Sequence, residues 1–181
     1  MMHKSLYKIF HYIDSYEKNY IDKIDKKIIL IYRNYHKTEN IKDLLKLRKH
    51  CNQKGIKIIL SNNIKLAYKL KFDGIYIPAF NYHPINKIKF RKNFMILGSA
   101  HNLKELKKKE KQNVNQIFLS PLFATKNKKP IGLNRFRNIA KYAQNHIIAL
   151  GGINSKNMNK LNLTNAKGFA SINYIKEKYA F

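Results

Sequence analysis

Eight short apolar runs punctuate the chain: YKIFHYI (7–13), KIILIY (27–32), IKIIL (56–60), GIYI (74–77), FMIL (94–97), QIFL (116–119), HIIAL (146–150) and GFASI (168–172). Each consists mostly of branched or aromatic side chains with no polar alternation, the pattern of a strand buried on both faces. The stretches between them carry helical spacing. Ile41, Leu44, Leu45 and Leu47 form one apolar stripe, Leu66, Ala67 and Leu70 a second, and Leu103 with Leu106 a third. Phe136, Ile139, Ala140 and Ala143 make another, and Met158, Leu161 and Leu163 the last; Pro84–Ile88 predicts only a turn or two. Asn102 and Ser155 stand where N-caps are expected, and Gly55 where a helix C-terminus needs a left-handed residue.

Strand and helix in strict alternation is the βαβ signature of an α/β domain with a parallel sheet. Eight strands allow a closed (β/α)8 barrel or an open doubly wound sheet. At 181 residues the chain is short for a barrel, so a barrel requires clipped helices. The polar residues favour it: Asp14, Arg33, Asn62, Ser99, His101, Thr125, Gly152 and Asn173 all follow their strands, and in a barrel they would ring one mouth. No linker or low-complexity tract divides residues 1–181, which reads as a single compact (β/α)8 TIM-barrel domain with shortened helices.

Composition narrows the function. Lys and Arg number 37 against 10 Asp and Glu, a formal charge of +27. Such a surface attracts polyanions. The lysines are nevertheless scattered among Asn and Ile residues, and only KELKKKEKQ (104–112) is dense. No RNP strand, GxxG clamp or Cys/His finger accompanies them, so no specific nucleic-acid partner is expected. The charge favours small phosphorylated substrates instead. A lone cysteine, Cys51, supports neither an intrachain disulfide nor a thiolate metal site. No apolar stretch approaches the roughly 20 residues that span a bilayer, so no membrane partner is expected and a reducing, cytoplasmic setting fits. A homo-oligomer is compatible with all of this.

The segment QIFLSPLFATKNKKPIGLNRFRNIA, followed by HIIALGGINSKNMNKL and GFASINYI, resembles the thiamine-phosphate synthase and thiazole tautomerase superfamily. Upstream, IYRNYHK stands for that family's Arg-Glu-Lys-like strand end, ILSNN for its Asn-Asp strand end, FDGIYIP for an A-D-G-V-H-like segment and LGSAHN for a G-x-S-x-H-like turn. Order and spacing agree from about Tyr7 to Ile175.

The resemblance implies a phosphate pocket at Gly151, Gly152 and the backbone around Asn173. Barrel loops after strands seven and eight commonly present amide N–H groups to phosphate, although two turn glycines would read the same way. It also implies that Lys128 and Thr125 hold a diphosphate, and that Arg33 lies beside it with a fork able to bind two oxygens at once. Pairing with Asp14 is the other reading of Arg33. Ser99 and His101 alternate along the fifth strand's end and so face the same side. His101 is placed to shuttle a proton, since imidazole titrates near neutrality.

Several positions depart from the family. Its synthases hold Mg²⁺ with an Asp after strand three and another after strand four, where this chain has Asn62 and Asn81. Mg²⁺ sites normally use one or two carboxylates, so two amides count against this one implied cofactor. Ser61 replaces an Asn among the substrate contacts, Ile31 a Gln, Tyr35 a Lys and Tyr76 a His. Three functions follow as expectations. The first is a thiamine-phosphate synthase, a transferase of thiamine biosynthesis. The second is a metal-independent thiazole tautomerase. The third is a non-catalytic relative that binds a phosphate or, through surface charge, RNA.

Overall fold

In the computed structural model, residues 7–35, 40–85 and 88–179 are described. Of the segments quoted above, His36 and Lys37 of IYRNYHK and Asn86 and Lys87 of the weakest helical stretch lie outside them. Eight strands, β1 (Lys8–Ile13), β2 (Ile28–Tyr32), β3 (Ile58–Ser61), β4 (Gly74–Ile77), β5 (Met95–Ala100), β6 (Gln116–Leu119), β7 (His146–Leu150) and β8 (Gly168–Ala170), pair in chain order. All pairings are parallel, and β8 returns to β1 through Lys8↔Gly168 and Phe10↔Ala170, closing the barrel.

The pleat sorts the strand residues into two cores. Phe10, Tyr12, Ile31, Ile59, Tyr76, Leu97, Phe118, Ile148 and Ala170 fill the barrel interior. Their sequence neighbours, such as Leu30, Ile58, Leu60, Ile75, Ile117 and Phe169, point outwards and pack beneath the helices. Burial on both faces is why the runs lacked polar alternation. The interior is aromatic: Phe118 makes edge contacts with Phe10, Tyr12 and Tyr76 at centroid separations of 4.9, 6.4 and 5.4 Å.

The outer layer is as clipped as the chain length demands. The helices are α1 (Lys18–Lys23), α2 (Ile41–Gln53), α3 (Ile64–Lys69), α4 (Leu103–Lys111), α5 (Leu133–Lys141) and α6 (Asn173–Tyr179). α1 and α6 were not anticipated, because each is under two turns and buries one side chain, Ile21 or Ile175, too little to show a period. Between β4 and β5 the described residues form no helix; Ile85 is buried from an irregular loop. The stretch after β7 is a 3-10 turn, Met158–Leu163, whose only buried side chain is Leu161.

Ser155 is therefore not an N-cap. That position's work is done by Asn154, whose Oδ1 accepts from the amides of Lys156 and Asn157 at 3.0 and 3.2 Å. Asn102 does cap α4, accepting from the Glu105 amide at 2.9 Å while Glu105 reaches back to the His101 amide at 2.8 Å. Gly55, at φ +68°, directly follows the last turn of α2. No helix among the described residues is long and apolar enough to cross a membrane.

Candidate functional site

At the carboxyl ends of the strands, beside a cavity of about 410 Å³ between Asp14, Glu17, Arg33 and Lys176, two adjoining cavities open. One, of about 370 Å³, is lined by Arg33, Ser99, His101, Thr125, Lys128 and Gly151 together with Tyr35, Tyr76, Phe80 and Ser120. The other, of about 440 Å³, is lined by Arg33, Thr125, Gly151, Gly152, Asn173 and the adjoining backbone. Arg33, Thr125, Leu150 and Gly151 belong to both of these, which together form one site with two compartments.

Arg33 stands between them. Its amide donates to the Ile13 carbonyl at 2.8 Å, extending the β1–β2 ladder by one rung. The guanidinium lies 4.4 Å from the Tyr12 ring centroid and 6.0 Å from that of Tyr35. It makes no ion pair with Asp14 among the described residues, so aromatic faces orient it and its N–H fork stays available for an anion. Burial pushes the Tyr76 phenol up despite its hydrogen bond with Ser99, and carries that of Tyr35 to about 12. These rings stay neutral and add no competing negative charge beside the arginine.

The amide-lined compartment comes from two glycines. Gly151 and Gly152 have φ of +99° and +67°. A Cβ on Gly151 would sit 2.6 Å from Pro121 Cα, and one on Gly152 2.4 Å from the Ala124 carbonyl oxygen. Only glycine therefore lets the β7 end press against the β6 loop, which it holds through Leu122 N–H to Leu150 O at 2.8 Å and Phe123 N–H to Gly151 O at 3.0 Å. The N–H groups of Gly151, Gly152, Ile153, Ile172 and Asn173 donate to no acceptor among the described residues. Backbone amides without an acceptor at the mouth of a barrel are the kind of donor an anion takes.

His101 and Ser99 face the same compartment, as the pleat required, although Ser99 lies within β5 rather than in a turn because the strand runs on to Ala100. His101 Nδ1 is 2.8 Å from the Ser120 carbonyl oxygen. A carbonyl can only accept, so Nδ1 carries the proton and the lone pair of the neutral ring is on Nε2. Thr125 and Lys128 face each other across a two-residue turn, with the Thr125 amide donating to Lys128 O at 3.2 Å.

Ser61 and Asn62 line neither compartment. Ser61 is buried and shares a 2.9 Å hydrogen bond with the Tyr35 hydroxyl, so it meets the mouth only through that ring. Asn62 accepts from Asn81 Nδ2 at 2.7 Å, and Asn81 Oδ1 accepts from the His83 amide at 2.9 Å. Both side-chain oxygens are already engaged, neither residue is a carboxylate, and no group of three His, Cys, Asp or Glu among the described residues could hold a metal. This pair does not fit a Mg²⁺ ion.

Reading the sequence missed Tyr12, Ser120 and Lys109. Tyr12 was hidden inside an apolar run; it supplies the face on which Arg33 rests. Lys109 was one lysine in a dense charge run, yet it is fully buried. Burial pulls its pKa down to about 8, against the nearby Glu105 carboxylate, and leaves it an ammonium at neutral pH. His11 is buried between the Ser171 carbonyl, 2.9 Å from its Nδ1, and the Tyr20 hydroxyl at Nε2.

Comparison with known proteins agrees with this geometry. A thiamine-phosphate synthase of Methanococcus maripaludis is 29% identical over 134 residues, a match covering 72% of this chain and 64% of that protein. One from Chloroflexus aurantiacus is 26% identical over 153 residues, covering 81% of this chain and 71% of its own length. Among solved structures, the thiamine phosphate pyrophosphorylase of Pyrococcus furiosus superposes with a TM-score of 0.73 at 20% identity, covering 93% of this chain and 86% of that one, a likeness of fold. The family model described as thiamine monophosphate synthase matches residues 22–175, from within α1 through the loops after β2 to β8, with Tyr12 and the loop after β1 preceding it. With the barrel closed and that match running across both compartments, the chain belongs to the thiamine monophosphate synthase family.

Proposed function

We propose that this chain is a thiamine-phosphate synthase-like transferase of thiamine biosynthesis, joining an aminopyrimidine-methyl diphosphate to a thiazole phosphate. The carbon–oxygen bond to the diphosphate breaks with its electron pair leaving on pyrophosphate, and the thiazole nitrogen lone pair forms the new carbon–nitrogen bond. The observation that carries this reading is the pair of compartments meeting at Arg33, one lined by free backbone amides and the other by Lys128, Ser99 and His101. Two phosphorylated reactants need two anion subsites sharing a reacting centre.

In this reading Gly151, Gly152, Asn173 and Thr125 hold the thiazole phosphate. Arg33 and Lys128 stabilise the charge that grows on the departing diphosphate, the largest demand of the reaction. Ser61 and Asn62, displaced from the lining, act by shaping the Tyr35 wall and the neighbouring loop. Coupling of the two precursors, followed with and without Mg²⁺, tests the proposal. Arg33→Met should lower kcat/KM by about a hundredfold or more, the usual scale for removing a preorganised transition-state contact. No product under either condition removes the synthase reading.

A second reading, a metal-independent thiazole tautomerase, is favoured by His101, whose protonated Nδ1 leaves Nε2 able to take and return a proton. A His101→Ala variant that isomerises thiazole phosphate as fast as its parent excludes it. Saturable binding of inorganic phosphate without turnover would instead mark a non-catalytic relative. Binding to RNA that falls steeply with salt would mark a surface function.

A further inference from the structure

The loop joining β4 to β5 supplies one wall of the mouth, through Pro78, Ala79 and Phe80. Its described residues form neither helix nor strand, so its own backbone ladder does not fix its shape. Inward-facing carbonyls in such a loop need donors from elsewhere. Pro78 O accepts one bond from within the loop, from the Asn81 amide at 3.1 Å, and both Pro78 and Asn81 turn their carbonyls towards α4, where Lys109 Nζ donates to them at 2.7 and 2.6 Å. The third ammonium proton is matched by Gln112 Oε1 at 2.8 Å, and Gln112 Nε2 in turn donates to Asn81 O at 3.2 Å and His83 O at 2.8 Å.

Two features mark this clasp as built. Lys109 makes no ion pair among the described residues, although burying an ammonium without a carboxylate partner costs stability. An apolar side chain would pack there at less cost, so the charge serves something other than packing. The lysine stem also has a channel cut for it: a Cβ on Gly98 of β5 would approach Lys109 Cδ to 3.0 Å. The Tyr82 ring lies 5.5 Å from the Lys109 ammonium and also carries that of Lys108, at 4.0 Å.

Three oxygens within 2.8 Å of one positive charge form an ion site whose ion is covalently tethered. It lies directly behind Asn81, on the loop where the amide pair cannot hold Mg²⁺. We propose that Lys109 is a positioning residue, a tethered cation that fixes the β4–β5 loop from within, so that the mouth binds pyrophosphate without a divalent ion. Only the choice of pyrophosphate as ligand rests on the function proposed above; the clasp stands on the loop geometry.

Calorimetric binding of inorganic pyrophosphate to the full chain tests this. The parent should bind as well in EDTA as in Mg²⁺, and Lys109→Met, which keeps the stem and loses the charge, should bind about tenfold or more weakly. Lys109→Ala should recover affinity and melting temperature on adding n-propylammonium, whose three carbons match the Cγ, Cδ and Cε removed, whereas Lys109→Met, its channel still filled, should not. Binding by Lys109→Met within about twofold of the parent, or a parent affinity about tenfold lower in EDTA, overturns the proposal. Should the parent bind no pyrophosphate, the proposed function falls and melting temperature still decides. A Lys109→Ala loss restored by propylammonium supports the clasp, and one that no ammonium restores overturns it.

Discussion

Replacing Gly152 by alanine separates two penalties that this position combines. The first is conformational: at φ +67° an L-residue pays about 1 kcal/mol to enter the left-handed region. The second is steric. The new Cβ would lie 2.4 Å from Ala124 O and 2.8 Å from both Phe123 C and Phe123 O, all backbone atoms that no rotamer change can move. Relief requires the β6 loop to shift, and overpacking of this kind costs about 1–3 kcal/mol. Gly55 supplies the control, since its φ of +68° is nearly identical and an added Cβ meets nothing within 4 Å.

Urea denaturation should therefore show Gly55→Ala losing about 1 kcal/mol and Gly152→Ala about 2–4 kcal/mol. Because the same shift pulls the free amides of Gly151 and Gly152 out of register, Gly152→Ala should also lose inorganic phosphate binding, while Gly55→Ala keeps it. Equal destabilisation of the two variants would refute the steric part. Unchanged phosphate binding by Gly152→Ala would refute the amide cradle itself.

Two further outcomes follow from buried titratable groups. Burial pushes the Cys51 thiol up to about 12, with Arg48 opposing it only in part, so an aromatic disulfide reagent at mildly alkaline pH should label it only after denaturant is added. Labelling of the native protein within minutes would contradict that burial. Burial also lowers the His11 pKa below 6.5, outweighing its hydrogen bond to Ser171. Protons then bind the unfolded chain preferentially, so stability should fall as pH drops below about 6.5, at up to about 1.4 kcal/mol per pH unit. A His11→Asn variant should show a flatter profile over that range, and an identical profile would remove His11 as the cause.

The barrel was legible because its strands are buried on both faces, which leaves an unbroken apolar run wherever a strand lies. Asn102 and Gly55 were legible for a similarly local reason: a cap acts within four residues of itself. The same locality explains the failures. α1 and α6 bury one side chain each, and one buried residue has no period. Ser155 lost its expected cap to Asn154 because the following turn is 3-10 rather than α and buries only Leu161.

At the mouth, sequence alone determined which loops carry the chemistry, since in a barrel every strand end faces one rim. It placed Asp14, Arg33, Asn62, Ser99, His101, Thr125, Gly152 and Asn173 there, and the resemblance added Ser61, Lys128 and Gly151; Asp14, Ser61 and Asn62 line neither compartment, and the other eight do. Tertiary structure decided what each neighbour does. Whether Arg33 pairs with Asp14 or rests on Tyr12, whether Asn62 and Asn81 coordinate an ion or each other, and whether Lys109 is solvated or clasped beneath a loop all depend on contacts between residues far apart in the chain. Such contacts leave no periodic trace, because their energy comes from distance and burial rather than from order along the chain.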